Sequence, residues 1–322
     1  MPSRRRLLLG LVAFNSGLSG AQQAPRVIGL LVPWKVANAR EVYDQLAQEM
    51  LALGYPKARL SITLRTADSD DSRFPALAED LAKLKVDLIV AGGTNAVIAA
   101  RRASATIPIV FFVVADPVAS GLAESLARPG HNNTGLTNFS AGELSDKRVE
   151  LLRQLMPDLA RAAFLMNPVT YTGNAEQSIR ERGDKFGFRG LVVRASSLQE
   201  LEIAFQAITA FHAQVVFVQT DAFFGDAQVQ IAQLLLRNHL ASVWPDSGPV
   251  AAGGLMSYGA AGDYDLRRVA SYVDKVLRGE KASDIPIQQP TKMELVINRK
   301  TAEALGLKIP PALLLQADRV ID

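Results

Sequence analysis

Gly92-Gly93-Thr94-Asn95 closes one apolar run and opens a helical stretch. That places Thr94 and Asn95 beside the unpaired N–H groups of a helix start, a position that favours an anion. Asp116, just before Pro117, closes a second apolar run, Ile109–Val114. An unpaired carboxylate there favours an ammonium or a sugar hydroxyl. Gly93, Thr94, Asn95 and Asp116 could together grip a small molecule carrying both kinds of group, such as an amino acid. Similar polar endings recur: Asn167-Pro168 with Tyr171 close behind follows Ala162–Met166, and Thr220-Asp221 follows Val215–Val218. Trp34, in the loop after Val27–Val32, and Tyr258, at the end of Leu255–Tyr258, are candidate aromatic walls. Each residue also fits a plainer role. Glycine makes turns, Asp116, Asn167 and Asp221 can cap helices, and a large aromatic is commonly core.

Catalytic chemistry finds little to work with. The three histidines, His131, His212 and His239, make no metal-ligand spacing with one another, and no Gly-x-Ser-x-Gly elbow is present. Asp70-Asp71 lies in a polar loop where it reads as the cap of the helix from Phe74. Gly92-Gly93 lacks both the spacing of a dinucleotide fingerprint and the lysine of a phosphate loop. No catalytic residue, metal or cofactor is therefore assigned. The competing reading, an exported hydrolase or transferase, would need a nucleophile and base within hydrogen-bond reach.

The elements that must position these groups alternate. Val27–Val32, Leu60–Thr66, Asp87–Val90 and Ile109–Val114 read as strands, and Arg40–Leu53, Phe74–Leu84 and Ala96–Ser104 as the helices between them, with a weak strand at Thr134–Thr137. From Ser145 the rhythm restarts through strands at Ala162–Met166, Leu191–Arg194, Val215–Val218 and Ala241–Trp244. Such alternation gives parallel strands with right-handed crossovers and helices on both faces, so the polar strand ends collect on one edge of each sheet, where open α/β sheets bind ligands. Two runs predict two doubly wound, Rossmann-like lobes with mostly parallel sheets, a cleft between them, and several crossover strands as a hinge. The expected boundaries are 22–138 plus 252–290 for the first lobe and 139–251 plus 291–322 for the second.

The 322 residues suffice for two cores, and an apolar fraction of 48% with 21% charged residues is that of a globular chain. The net charge of +3 resides in Arg4, Arg5 and Arg6; without them the formal charge is zero, which gives no reason to expect nucleic acid. Those arginines, the apolar stretch Leu7–Leu18 and the small residues Ser19-Gly20-Ala21 have the grammar of a cleavable export signal over residues 1–21, by the general or the twin-arginine route. The apolar stretch falls short of the roughly 20 residues of a membrane-spanning helix. With no cysteine there is no disulfide, lipid-anchor thiol or thiolate nucleophile, and the expected location is the periplasm.

Five stretches carry a resemblance: Asp87–Asn95 (DLIVAGGTN), Ile107–Gly121 (IPIVFFVVADPVASG), Pro129–Leu136 (PGHNNTGL), Gly253–Gly259 (GGLMSYG) and Gln288–Pro310. In combination they resemble the ABC-transporter substrate-binding proteins of the type I periplasmic-binding-protein fold, in the subfamily that includes tryptophan- and tyrosine-linked binders. The resemblance spans nearly all of Val27 to Asp322. It implies a two-lobed, monomeric receptor that closes on a small solute and delivers it to a membrane permease, with cleft residues at Thr94, Asn95, Asp116 and Asp221. Members with this pattern often carry a polar or histidine-containing loop after the first strand; here it is Pro33-Trp34-Lys35-Val36. That favours a flat or apolar solute portion against Trp34, with Lys35 meeting a carboxylate or water. The expected solute is an amino acid with an aromatic or branched side chain. A ligand receptor serving a sensor instead of a permease would look the same in sequence.

Overall fold

The computed structural model describes residues 25–114, 116–118, 120–137, 141–169, 174–260, 265–290 and 292–322, with the backbone alone for 141–143. The residues expected to form the export signal, and Tyr171, lie outside the described ones. No described helix is long and apolar enough to cross a membrane.

The first run contains β1 (Arg26–Val32), α1 (Val36–Ala52), β2 (Leu60–Thr66), α2 (Phe74–Lys83), β3 (Leu88–Gly92), α3 (Thr94–Ala103), β4 (Ile109–Val114) and β5 (Asn133–Thr137). Its five strands form one parallel sheet in the order β2-β1-β3-β4-β5. Successive side chains of a strand point to opposite faces, and here both faces are covered. Leu30, Val32, Val90 and Phe112 pack under Val42, Leu46 and Met50 of α1, while Leu31, Ile89, Ala91 and Phe111 pack under α2 and α3. This is why the strands read as unbroken apolar runs. β5 looks weak in sequence because its buried side chains are largely polar: Thr134 Oγ1 donates to the Ile285 carbonyl at 2.7 Å, Thr137 Oγ1 to that of Val114 at 2.7 Å and Asn133 Nδ2 to that of Leu122 at 3.0 Å, while Asn133 Oδ1 has no partner among the described residues. Gly135 within it has φ 152°, and a Cβ there would sit 2.0 Å from the Phe111 carbonyl oxygen.

The second run comprises α4 (Ala141–Leu155), β6 (Arg161–Met166), α5 (Ala175–Phe186), β7 (Arg189–Arg194), α6 (Leu198–Ala210), β8 (Val215–Val218), α7 (Ala222–Asp226), α8 (Gln228–Arg237), β9 (Ala241–Trp244), α9 (Gly248–Ala251) and β10 (Met256–Ala260). The tail adds α10 (Leu266–Leu277), β11 (Met293–Asn298), α11 (Arg299–Ala304), α12 (Pro311–Gln316) and β12 (Arg319–Ile321). The second sheet has the order β12-β11-β10-β9-β8-β6-β7, parallel except where β11 runs against β10. One face carries Leu152, Phe164, Ile179 and Phe217, the last stacked on Phe164 at 4.8 Å; the other carries Leu201, Phe205, Ile231 and Leu235.

One boundary needs correction. Residues 252–290 were expected in the first lobe, but β10 is hydrogen-bonded between β9 and β11, with Ser257 opposite Trp244 and Val296. A short apolar strand carries no mark of which sheet it joins; its partners decide. The chain returns to the first lobe at α10, whose Val269 and Val273 complete the core over α1, and at Gln288, which pairs with Leu136 beside β5. It thus passes between the lobes three times: after β5, after β10 and after Gln288.

Candidate ligand-binding cleft

On the first lobe, the carboxyl end of β3 becomes α3 through Gly93, whose φ of 87° suits glycine and whose N–H reaches the Phe112 carbonyl at 2.9 Å. α3 starts at Thr94, two residues ahead of the sequence expectation, with no side-chain cap and no acid in its first turn. Among the described residues no side chain accepts from its leading N–H groups, an arrangement that suits an anion. Asn95 Nδ2 donates to Asp71 Oδ2 at 2.7 Å. Asp70 caps the short turn Asp71–Arg73 that leads into α2, accepting from the Ser72 N–H at 3.1 Å, and not α2 itself as the sequence predicts, since α2 has no side-chain cap. Its neighbour Asp71 belongs to the cleft. Burial pushes the Asp71 carboxyl upward from its ordinary value, and the charges of Asp221 and Asp70 push the same way against the Asn95 hydrogen bond.

Trp34 is only 7% exposed. Its ring lies 5.9 Å from that of Phe112, and a Cβ on Gly92 would approach it to 3.2 Å. It forms a floor beneath the strand ends, part of the first-lobe core, rather than an exposed wall. Asp116 makes the turn after β4, its Oδ1 accepting from the Val118 N–H at 3.1 Å. Just before it, the β4–β5 register shifts and Val113 adopts φ 59°, a strained setting for a β-branched residue that re-aims the strand end.

On the second lobe, Asn167 follows β6 and is 8% exposed. Its Oδ1 accepts from the Val169 N–H at 3.0 Å and its Nδ2 donates to Asp221 Oδ1 at 3.1 Å. Asp221 in turn accepts from the N–H groups of Phe223 at 2.9 Å and Phe224 at 3.4 Å, and so caps α7. Beside it, at the end of β8, Gln219 Oε1 is buried without a hydrogen-bond partner among the described residues. Tyr258 stands two strands away from β8 and packs into the second-lobe core. Its carbonyl accepts from Arg148 Nε at 2.7 Å, and burial lowers the Arg148 guanidinium to about 10.

The two faces meet. Asp226, at the end of α7, accepts from the Lys35 N–H at 3.2 Å, from Asn38 Nδ2 at 2.6 Å and from Ser69 Oγ, all on the first lobe. Ala222 of α7 packs against the first-lobe core. Of the predicted residues, the structure brings together Gly93, Thr94 and Asn95 with Asn167 and Asp221, through Asp71. Asp116 caps its own turn, Trp34 lies beneath, and Tyr258 stands apart. Sequence reasoning missed Asp71, concealed by its capping neighbour, and Asp226, concealed in a helix too short to show periodicity.

Residues 32–321 match the model of a family described as ABC transporter substrate binding protein. A tyrosine-binding protein from Clostridioides difficile is 25% identical over 252 residues, covering 77% of this chain and 71% of that protein. Among solved structures, an ABC domain in complex with L-Trp from Streptococcus pneumonia superposes with a TM-score of 0.83 at 22% identity, covering 92% of this chain and all of that one (100%). A conserved domain protein from Vibrio cholerae gives 0.82 at 24% identity, over 92% and 99% of the two chains. These likenesses show the fold, two mostly parallel α/β lobes of the type I periplasmic-binding-protein kind.

Proposed function

We propose that this chain, which belongs to the ABC transporter substrate-binding protein family, is an exported, monomeric receptor for a free amino acid with an aromatic or branched side chain, and that it presents this solute to an ABC permease. The observation that carries the reading is the uncapped start of α3 at Thr94 standing across the cleft from the Asn167–Asp221 pair, with Asp71 and Asn95 between them. The free N–H groups of α3 receive the solute carboxylate. Asp221, with Asp71, receives the ammonium, and Asp116 borders the site at the end of β4. An ammonium seated between Asp71 and Asp221 would offset both the burial and the neighbouring negative charge that raise the Asp71 carboxyl. Gln219 Oε1 offers a further acceptor, and the rings of Trp34 and Phe112 underlie the apolar portion. The tyrosine-binding relative and the structure holding L-Trp support an aromatic amino acid. A solute touching both lobes binds the closed form better than the open one and so drives closure.

A burial of paired charges is favourable only when each is hydrogen-bonded, so both ends of the amino acid are required. A thermal-shift screen with L-tryptophan, L-tyrosine, L-leucine, their amides and their decarboxylated amines tests this. The free amino acids raise the melting temperature by mass action, and the amides and amines do not. Equal shifts from an amino acid and its amide would refute the carboxylate assignment.

A further inference from the structure

We infer that Asp226 is a closure-determining residue: a second-lobe carboxylate that fastens the mouth of the cleft by binding the start of α1 on the first lobe. The inference rests on the receptor reading only for the purpose that closure serves.

α1 is 17 residues long and begins without help from its own sequence. Its N-cap is Lys35, no side chain there bonds the helix start, and its first turn holds no acid. The first N–H groups of a helix lack intrahelical acceptors and that end carries partial positive charge, so a carboxylate is the complement it lacks. Asp226 arrives there from 191 residues away. Both of its oxygens are used: Oδ1 accepts from Asn38 Nδ2 at 2.6 Å, and Oδ2 from the Lys35 N–H at 3.2 Å and from Ser69 Oγ. All three donors belong to the first lobe, so parting the lobes breaks all three bonds at once. α7 is the strap that delivers this acid. Its first residue, Ala222, rests on the first-lobe core, and Asp221 just ahead of it faces Asn167 and Asp71. A five-residue helix thus has one carboxylate at the proposed solute site and another on the opposite lobe, which couples the seating of a solute to the latch. Bonds made only in the closed form bias the equilibrium toward it, and they must break before a solute leaves.

The chain has no cysteine, so Ala52→Cys and Gln199→Cys, both at exposed positions on different lobes, create one unique spin-label pair. Electron–electron distance distributions are recorded without solute and with saturating L-tyrosine or L-tryptophan. Charged hydrogen bonds of this kind predict that Asp226→Ala lowers the closed-to-open ratio roughly tenfold or more in at least one of the two conditions. Asn38→Ala should shift it the same way by less, and the double variant should add little to Asp226→Ala, since both remove one contact. Should Asp226→Ala fail to fold, Asn38→Ala, at an exposed position, makes the same comparison. Distributions that superimpose on the parent under both conditions would overturn the latch. The solute-free arm needs no ligand: if no amino acid binds but Asp226→Ala still opens the lobes, the solute reading fails and the latch stands.

Discussion

Helices that begin at the cleft are finished differently in the two lobes. In the second lobe, the helices following β6, β7 and β8 carry their own caps: Asn174 accepts from the Gln177 N–H at 3.2 Å, Ser197 from that of Glu200 at 3.3 Å, and Asp221 from α7. In the first lobe, α1 and α3, which follow β1 and β3, have no side-chain cap. A capped start is satisfied, whereas an uncapped one is a donor site still seeking an acceptor. The first lobe therefore brings two open helix starts to the cleft, with Asp71 beside them, and the second brings Asp221 and Asp226. α1 meets Asp226, and in the proposed function α3 meets the carboxylate of the solute.

This asymmetry can be broken or sharpened in four steps of decreasing size. Asp221→Ala removes both the ammonium partner and the α7 cap. Calorimetric titration with L-tryptophan or L-tyrosine should show a loss of about 2–5 kcal/mol, the range for truncating one side of a buried charge pair. Thr94→Asp gives α3 an acid of its own. Affinity should fall roughly tenfold while the solute-free protein gains about 0.5 kcal/mol in denaturant unfolding, since the new charge suits the helix dipole but repels a carboxylate. Opposite signs in the two assays are the signature; a loss in both would mean that the start of α3 is not open to an anion. Lys35→Ser supplies α1 with a local cap, which should add up to about 1 kcal/mol of stability and shrink the response of the inter-lobe distance to Asp226→Ala.

The smallest effect concerns Asp71. Its carboxyl is raised in the folded protein, so the fold favours the protonated form. That contribution is fully present below the unfolded carboxyl value and is lost as pH rises through the folded value. Asp71→Asn should match the parent in acid and melt higher than it above that window when no solute is present. Scanning calorimetry across a pH series checks the sign; parallel curves for the two proteins would mean that neither burial nor the Asp221 charge raises the Asp71 carboxyl.

Most of the architecture is legible in the sequence because the strands are buried on both faces and end abruptly at polar residues, as Ile109–Val114 does before Asp116. Four features are not, each for a local reason. α1 begins at Val36 instead of Arg40 because the acid at its start comes from the other lobe. α7 is five residues long, less than two turns, and leaves no periodic trace. The sheet to which β10 belongs is set by pairing with β11, which lies beyond α10 in the chain. Trp34 reads as a loop residue, yet its ring turns inward over Phe112 beneath Gly92, a side chain's choice that spacing does not encode. The candidate site is legible where helix starts and carboxylates cluster, at Thr94 and Asp221, and Asp71 is not, because one aspartate, Asp70, explains its neighbour away.

The triple passage of the chain between lobes also governs the order in which the protein can come into being. Val90, Val110 and Phe112 are roofed partly by Val269 and Val273, encoded more than a hundred residues later. During synthesis that surface stays bare until α10 has emerged, and the second sheet waits longer still for β11 and β12. A fragment ending at Thr137 should accordingly aggregate instead of folding. Gene truncation cannot isolate either half of this molecule as an intact body.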